Sequence, residues 1–140
     1  MSVRIERTDD TEACLALRRI VFIEEQGVAE AEEVDALDAE ALHLLAQDDE
    51  TPVGTARLVF KGDTVKIGRV CVLKSHRGTG LGASLIRAAL DVARSVPGVS
   101  RAQLGAQLHA LPFYRKLGFA AYGPTYDDAG IAHRDMEQPL

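Results

Sequence analysis

Glycines and a cation crowd into one short stretch, Arg77-Gly78-Thr79-Gly80-Leu81-Gly82. It follows the Val-rich run Val65–Val72 and precedes the apolar spacing Leu85, Ile86, Ala89, Val92, Ala93. That order predicts a strand, a tight loop, and a helix opening at about Gly80. The unpaired N–H groups of a helix start, with the positive end of its dipole, make an anion site. Glycine lets the backbone turn and approach a ligand with no Cβ in the way, and Arg77 adds a charged fork. The expected guest is a pyrophosphate. A P-loop is excluded because no Lys follows these glycines, and Gly78-x-Gly80-x-Gly82 departs from the Gly-x-Gly-x-x-Gly of dinucleotide-binding turns.

A second chemical stretch begins at His109 and runs Ala110-Leu111-Pro112-Phe113-Tyr114-Arg115-Lys116-Leu117-Gly118-Phe119. Pro112 suits a first turn, Arg115 and Lys116 suit a last turn, and Gly118 closes the helix. The spacing Arg77-x-x-Gly80-x-Gly82 after a Val-rich strand resembles the acyl-CoA pyrophosphate loop of the GCN5-related N-acetyltransferase (GNAT) superfamily. Phe113-Tyr114-x-x-x-Gly118-Phe119 resembles that family's last motif. Val21-Phe22, Glu25-Gln26, Gly105-Ala106-Gln107-Leu108-His109 and Gly130-Ile131-Ala132-His133 are similar to the ElaA-type branch, so the likeness covers nearly the whole chain.

The resemblance implies the GNAT α/β fold, a twisted, mixed, mostly antiparallel sheet flanked by helices. It also implies acetyl-CoA as co-substrate, with contacts at Val70, Cys71, Val72, Arg77, Gly78, Thr79, Gly80, Leu81, Gly82, Phe113 and Tyr114. The Tyr114 hydroxyl would protonate the departing thiolate. Gln107 would hydrogen-bond the pantetheine amide or tie neighbouring strands. Backbone N–H groups at Val70 to Val72 would hold the thioester arm where that strand splays from its neighbour.

Moving an acetyl group from sulfur to nitrogen needs an unprotonated amine. An alkyl ammonium of pKa about 10.4 lies about 3.4 units from pH 7, so deprotonation costs about 4.6 kcal/mol. A positioned base is therefore expected. Glu25, His43, His109 and His133 are the candidates, with Asp38 behind them, and Glu25 and His109 are favoured. Gln26, His43, Arg69 and His133 join Glu25 as acceptor-side residues. The alternative to an N-acetyltransferase acting on a small or peptidyl amine in a ternary complex is a non-catalytic acyl-CoA sensor on the same scaffold.

These side chains must be held by alternating elements. Val3–Glu6 predicts a strand, and Asp9 or Asp10 caps a helix with Ala13, Leu17, Ile20 and Val21 on one side, ended by Gly27. Strands are expected over 42–46, 53–60 and 65–72, the last two joined by Lys61-Gly62-Asp63. A helix reaches about Val96, before Pro97-Gly98. Strand 101–107, the tyrosine helix, strand 119–122, a turn at Gly123-Pro124 and a closing strand 132–137 complete one domain over 1–140.

Charge is divided unevenly along a chain whose net charge is −5. From Ile20 to Ala56 there are eleven acids and no Lys or Arg, whereas Arg57 to Leu140 holds twelve Lys and Arg against six acids. The acidic segment could draw in a cationic amine or simply be solvated surface. This balance disfavours nucleic acid, and no apolar run is long enough for a membrane span. Cys14 and Cys71 lie among apolar neighbours and read as free thiols, and no metal-ligand set is expected. The chain reads as cytoplasmic, and a homodimer is compatible with it.

Overall fold

A computed structural model describes residues 3–140. Its strands are β1 (Val3–Thr8), β2 (Leu42–Asp48), β3 (Thr51–Lys61), β4 (Thr64–Val72), β5 (Arg101–Gln107), β6 (Ala120–Asp128) and β7 (Ile131–Pro139). Its α-helices are α1 (Thr11–Arg18), α2 (Glu30–Glu33), α3 (Leu81–Arg94) and α4 (Leu111–Lys116). The strands form a single sheet of order β1-β2-β3-β4-β5-β7-β6, antiparallel everywhere except at β4–β5.

Strand alternation divides the core between two faces. Leu44 packs with Leu85, Ile86, Ala89 and Leu90 of α3, whereas its neighbour Leu45 packs with Cys14, Leu17 and Val21. Successive side chains point to opposite faces, so α3 covers one side of the sheet and α1 the other. Both cysteines are buried free thiols, as the apolar context suggested.

Two local expectations are corrected. Asp10 caps α1, its side chain accepting from the Ala13 N–H at 3.1 Å, but after Arg18 the helix widens into a π-helical stretch over Arg19–Glu25. The wider turn rotates Ile20 out to solvent while Val21 stays buried, so the single apolar stripe through both does not exist. Gly123-Pro124 is not a turn between strands. It lies within β6 at a bulge between Tyr122 and Tyr126, and the reversal comes at Ala129-Gly130 instead. The other elements agree within a few residues; α3 stops at Arg94 rather than Val96.

The feature that builds the site is where strand pairing ends. β4 and β5 pair only from Thr64–Lys66 to Arg101–Gln103, whereas β5 stays paired with β7 along its whole length. Beyond Lys66 the two strands diverge and leave an open wedge. On its other edge β4 bulges: Gly68 pairs with Arg57 and Cys71 with Thr55, leaving Arg69 and Val70 between them. Arg69 has φ +50°, a left-handed conformation that costs a non-glycine residue about 1–2 kcal/mol. Its guanidinium holds the bulge to the acidic segment, donating from Nε to the Glu33 carbonyl at 3.1 Å and from Nη2 to Asp35 Oδ2 at 3.2 Å.

Candidate functional site

At the start of α3 six consecutive backbone N–H groups, from Gly78 to Ala83, donate to no acceptor among the described residues; the first helical bond is Ser84 N–H to the Gly80 carbonyl. Gly78 and Gly80 make this possible with φ of +78° and +86°. A Cβ at either would meet nothing within 4 Å, so the space beside the loop is open. Thr79 Oγ1 donates to the His76 carbonyl at 2.6 Å and closes the loop upon itself. Gly82 sits against Phe113, whose Cζ would lie 3.5 Å from an added Cβ. Consecutive orphan donors at a helix start form a nest that fits a phosphate or pyrophosphate.

Arg77 flanks this nest and is already engaged. Its Nη2 donates to Glu25 Oε1 at 3.0 Å, its Nη1 lies 2.9 Å from Glu25 Oε2, and its Nε donates to the Val72 carbonyl. The guanidinium holds the Glu25 carboxyl below the usual carboxylate range.

The wedge between β4 and β5 opens into a cleft of about 360 Å³. Val70, Arg69, Gln107, Tyr114, Gln26 and His133, all singled out from the sequence, meet in its wall. Tyr114 packs edge to face with Phe113 at 5.0 Å and with Phe119 at 6.0 Å, and burial pushes its phenol up to about 12. His133 pairs with Gln107 across β7 and β5, and its Nδ1 lies 2.7 Å from the Ile131 carbonyl. A carbonyl only accepts, so that contact puts the proton on Nδ1 and leaves Nε2 as the acceptor of the neutral ring. Gln107 Nε2 donates to Gln26 Oε1 at 3.1 Å, and Gln107 Oε1 lies 2.8 Å from His109 Nε2.

Other residues singled out from the sequence stand outside this wall. Glu25 is on Arg77, and His109 is reached only through Gln107. His43 is buried on β2 with Nε2 3.0 Å from the Asp38 carbonyl, beside a different hollow. Cys71 points into the α1 side of the core, where burial pushes its thiol up to about 12, so it is no nucleophile. Its backbone remains on the divergent strand.

Sequence reasoning missed Arg57, Lys66, Tyr126 and Asp128, which also line the cleft. Gly105 carried a signal for one of them. A Cβ there would fall 2.4 Å from the Tyr126 hydroxyl, so a mid-strand glycine marks the close approach of another group. That hydroxyl donates to Asp135 Oδ1 at 2.7 Å.

The acidic segment is largely tied up. Of Glu24, Glu25, Glu30, Glu32, Glu33, Asp35, Asp38 and Glu40, five are ion-paired with arginines. Arg18, only 1% exposed, reaches Glu33 Oε1 at 2.5 Å and Asp38 Oδ1 at 2.7 Å, and Arg57 reaches Asp35 and Asp38. Burial alone would raise the Asp35 and Asp38 carboxyls; Arg57 on the first, and Arg18 with Arg57 on the second, outweigh it and hold both below the usual range. Carboxyls depressed on folding add stability above their unfolded pKa, near 3.9, and lose it as pH falls through the folded value. The urea midpoint is therefore expected to stay level from pH 7 to about 5 and to drop below about pH 4. Arg18→Met, which strips a partner from buried Glu33, should cost about 3–5 kcal/mol in the same titration. A loss under about 1 kcal/mol would show that the network does not hold the cleft wall.

Comparison with known proteins agrees with this geometry. Residues 14–140 match the family model described as the acetyltransferase (GNAT) domain. The uncharacterized N-acetyltransferase YjcF of Bacillus subtilis is 42% identical over 121 residues, covering 86% of each chain. Protein ElaA of Escherichia coli is 31% identical over 132 residues, covering 91% of this chain and 86% of its own. The solved acyl-CoA N-acyltransferase from Pseudomonas aeruginosa superposes with a TM-score of 0.87 at 31% identity, covering 98% of this chain and 99% of its own. A diverging β4–β5 pair, a glycine nest opening α3 and a half-buried tyrosine beside them thus go together with matched sequence over almost the full length: the chain belongs to the GNAT acetyltransferase family, in its ElaA-like branch.

Proposed function

We propose that the protein transfers the acetyl group of acetyl-CoA to the primary amine of a small molecule or peptide by direct attack in a ternary complex. The observation that carries this reading is the run of six unpaired N–H groups from Gly78 to Ala83, which suits the pyrophosphate of an acyl-CoA. Acetyl-CoA brings the activated thioester. Beyond Lys66 the β4 edge has no β5 partner, so its backbone can take the pantetheine arm and polarise the thioester carbonyl. Tyr114, protonated throughout the physiological range, donates to the departing sulfur.

The amine's proton goes to His133 in this reading. An imidazole suits proton exchange near neutrality, and this ring lines the cleft with Nε2 left as the acceptor. Glu25 and His109 instead serve position: Glu25 sets Arg77 beside the nest, and His109 braces Gln107.

Thiol release from acetyl-CoA across a panel of amines tests the proposal. Turnover with at least one amine is expected, and His133→Gln should lower kcat about 10²-fold or more while cofactor affinity holds. Saturable acetyl-CoA binding with no amine supporting turnover would favour the sensor reading. A His133→Gln enzyme as fast as the parent would return the base to Glu25 or His109.

A further inference from the structure

Arg57 is buried, its side chain 7% exposed, yet only part of its guanidinium is engaged. Nη1 donates to Asp35 Oδ1 at 2.7 Å and to Asp38 Oδ1 at 3.1 Å. Nε has no partner, and Nη2 makes no hydrogen bond among the described residues. Nε is sealed from solvent, whereas the unbonded Nη2 is not, so Nη2 is the donor of the fork that a carboxylate entering the cleft can reach. An unbonded, charged Nη2 N–H at a cleft is a ready donor to an anion from outside the chain. Arg57 lines the cleft.

The surroundings agree on the sign of that partner. Arg18, Arg57 and Arg69 are matched by Glu33, Asp35 and Asp38, so the buried network is balanced. Lys66, two residues before Gly68 (the β4 partner of Arg57), also lines the cleft and has no ion-pair partner among the described residues. Burial first, and then the Arg57 charge, weakens the hold of Arg69 on its proton, so the two guanidiniums repel across the bulge. An added anion would relieve that repulsion. The exposed carboxylates of Glu32 and Asp128 share the wall, so the cleft presents both signs of charge. A molecule carrying an amine and a carboxylate fits such a wall.

We infer that the acceptor is an amino-acid-like amine whose carboxylate is read by Nη2 of Arg57 together with Lys66. This rests on the acetyl-transfer reading and names its substrate class. A cleft of about 360 Å³ that must also admit the thioester arm favours a free amino acid over a folded protein surface. The carboxylate anchored at Arg57 would hold the molecule by one end, leaving its amine to reach toward Val70 and His133.

Matched acceptors provide the test: an amino acid, its primary amide and its decarboxylated amine, each with saturating acetyl-CoA and thiol release as the readout. The acid is expected to exceed the amide in kcat/KM by about 10- to 100-fold, the worth of a charge-assisted hydrogen bond. In Lys66→Ala, and in Arg57→Lys, which keeps a cation for Asp35 and Asp38 but loses the fork, the acid-to-amide ratio should collapse. Calorimetric titration of acetyl-CoA reports whether each variant is folded. Amides or cationic amines serving as well as the acids would overturn the subsite while acetyl transfer stands. If no amine supports turnover, acetyl transfer falls and titration of an N-acetyl amino acid decides the subsite. Saturable binding weakened by Lys66→Ala supports it, and absence of binding overturns it.

Discussion

Tyr114→Phe is expected to keep acetyl-CoA affinity within about threefold and to lose about 10²–10⁴-fold in kcat. The ring is fixed by its edge-to-face contacts with Phe113 and Phe119, and the same contacts remain available to phenylalanine. The hydroxyl makes no hydrogen bond among the described residues, so its loss strands no buried partner and unfolding should be little changed. What disappears is the proton. With burial pushing the phenol up to about 12, Tyr114 stays protonated at every pH where the fold is tested, and the rate should show no alkaline limb from it below about pH 11. Stopped thiol release over pH 6–10, with calorimetry on the same samples, checks both parts. Unchanged kcat would remove Tyr114 from the chemistry, and lost affinity would make its role packing.

The half of the site that depends on local chain chemistry was legible in the sequence. Gly78 and Gly80 announce themselves because only glycine takes a left-handed turn so readily, and both sit between a strand pattern and a helix pattern whose periods differ. The helix that carries Tyr114 was legible in the same way, because Pro112 and Gly118 bracket it, whereas the role of its hydroxyl came from the family resemblance. Gly27 and Gly62 likewise take left-handed conformations where a helix end and a hairpin turn were expected.

What escaped was set by partners distant in the chain. Arg57 sits in the apolar stretch Val53–Phe60, where a lone cation is conspicuous, but its partners Asp35 and Asp38 lie 22 and 19 residues upstream and no spacing rule links them. Paired and solvated acids look alike as letters, so the acidic segment read as a lure for cations or as solvated surface, when Glu25, Glu30, Glu33, Asp35 and Asp38 hold arginines. Ala13, Leu17, Ile20 and Val21 satisfy an α-helical stripe on paper; the π-helical turn after Arg18 breaks it without any signal from proline or glycine. Gly123-Pro124 carries the composition of a turn, yet pairing with β7 on both sides absorbs it as a bulge.

Gly80→Val should abolish most cofactor binding, weakening acetyl-CoA by about 100-fold or more, and Arg77→Ala should cost only about 3- to 10-fold. In the proposed complex the two residues would face the same anion at different expense. At Gly80 the backbone has φ +86°, and a branched side chain there both strains the turn and projects into the open space beside the orphan N–H groups of Leu81 and Gly82. Two or more charge-assisted bonds would be lost together, each worth about 1.5–3 kcal/mol. Arg77 must first leave Glu25, where two contacts of 3.0 and 2.9 Å already satisfy it, so its grip on a pyrophosphate is an exchange rather than a net gain. Strain alone can be separated from steric exclusion. Gly98 has φ +84° and equal open space but lies in the turn after α3, so Gly98→Val should lose comparable stability, about 1–2 kcal/mol, and bind acetyl-CoA like the parent. Calorimetric titration and urea unfolding of all three variants decide the matter. If Gly80→Val binds as tightly as Gly98→Val, the pyrophosphate is not held at this helix start, and the unpaired donors from Gly78 to Ala83 answer to some other anion.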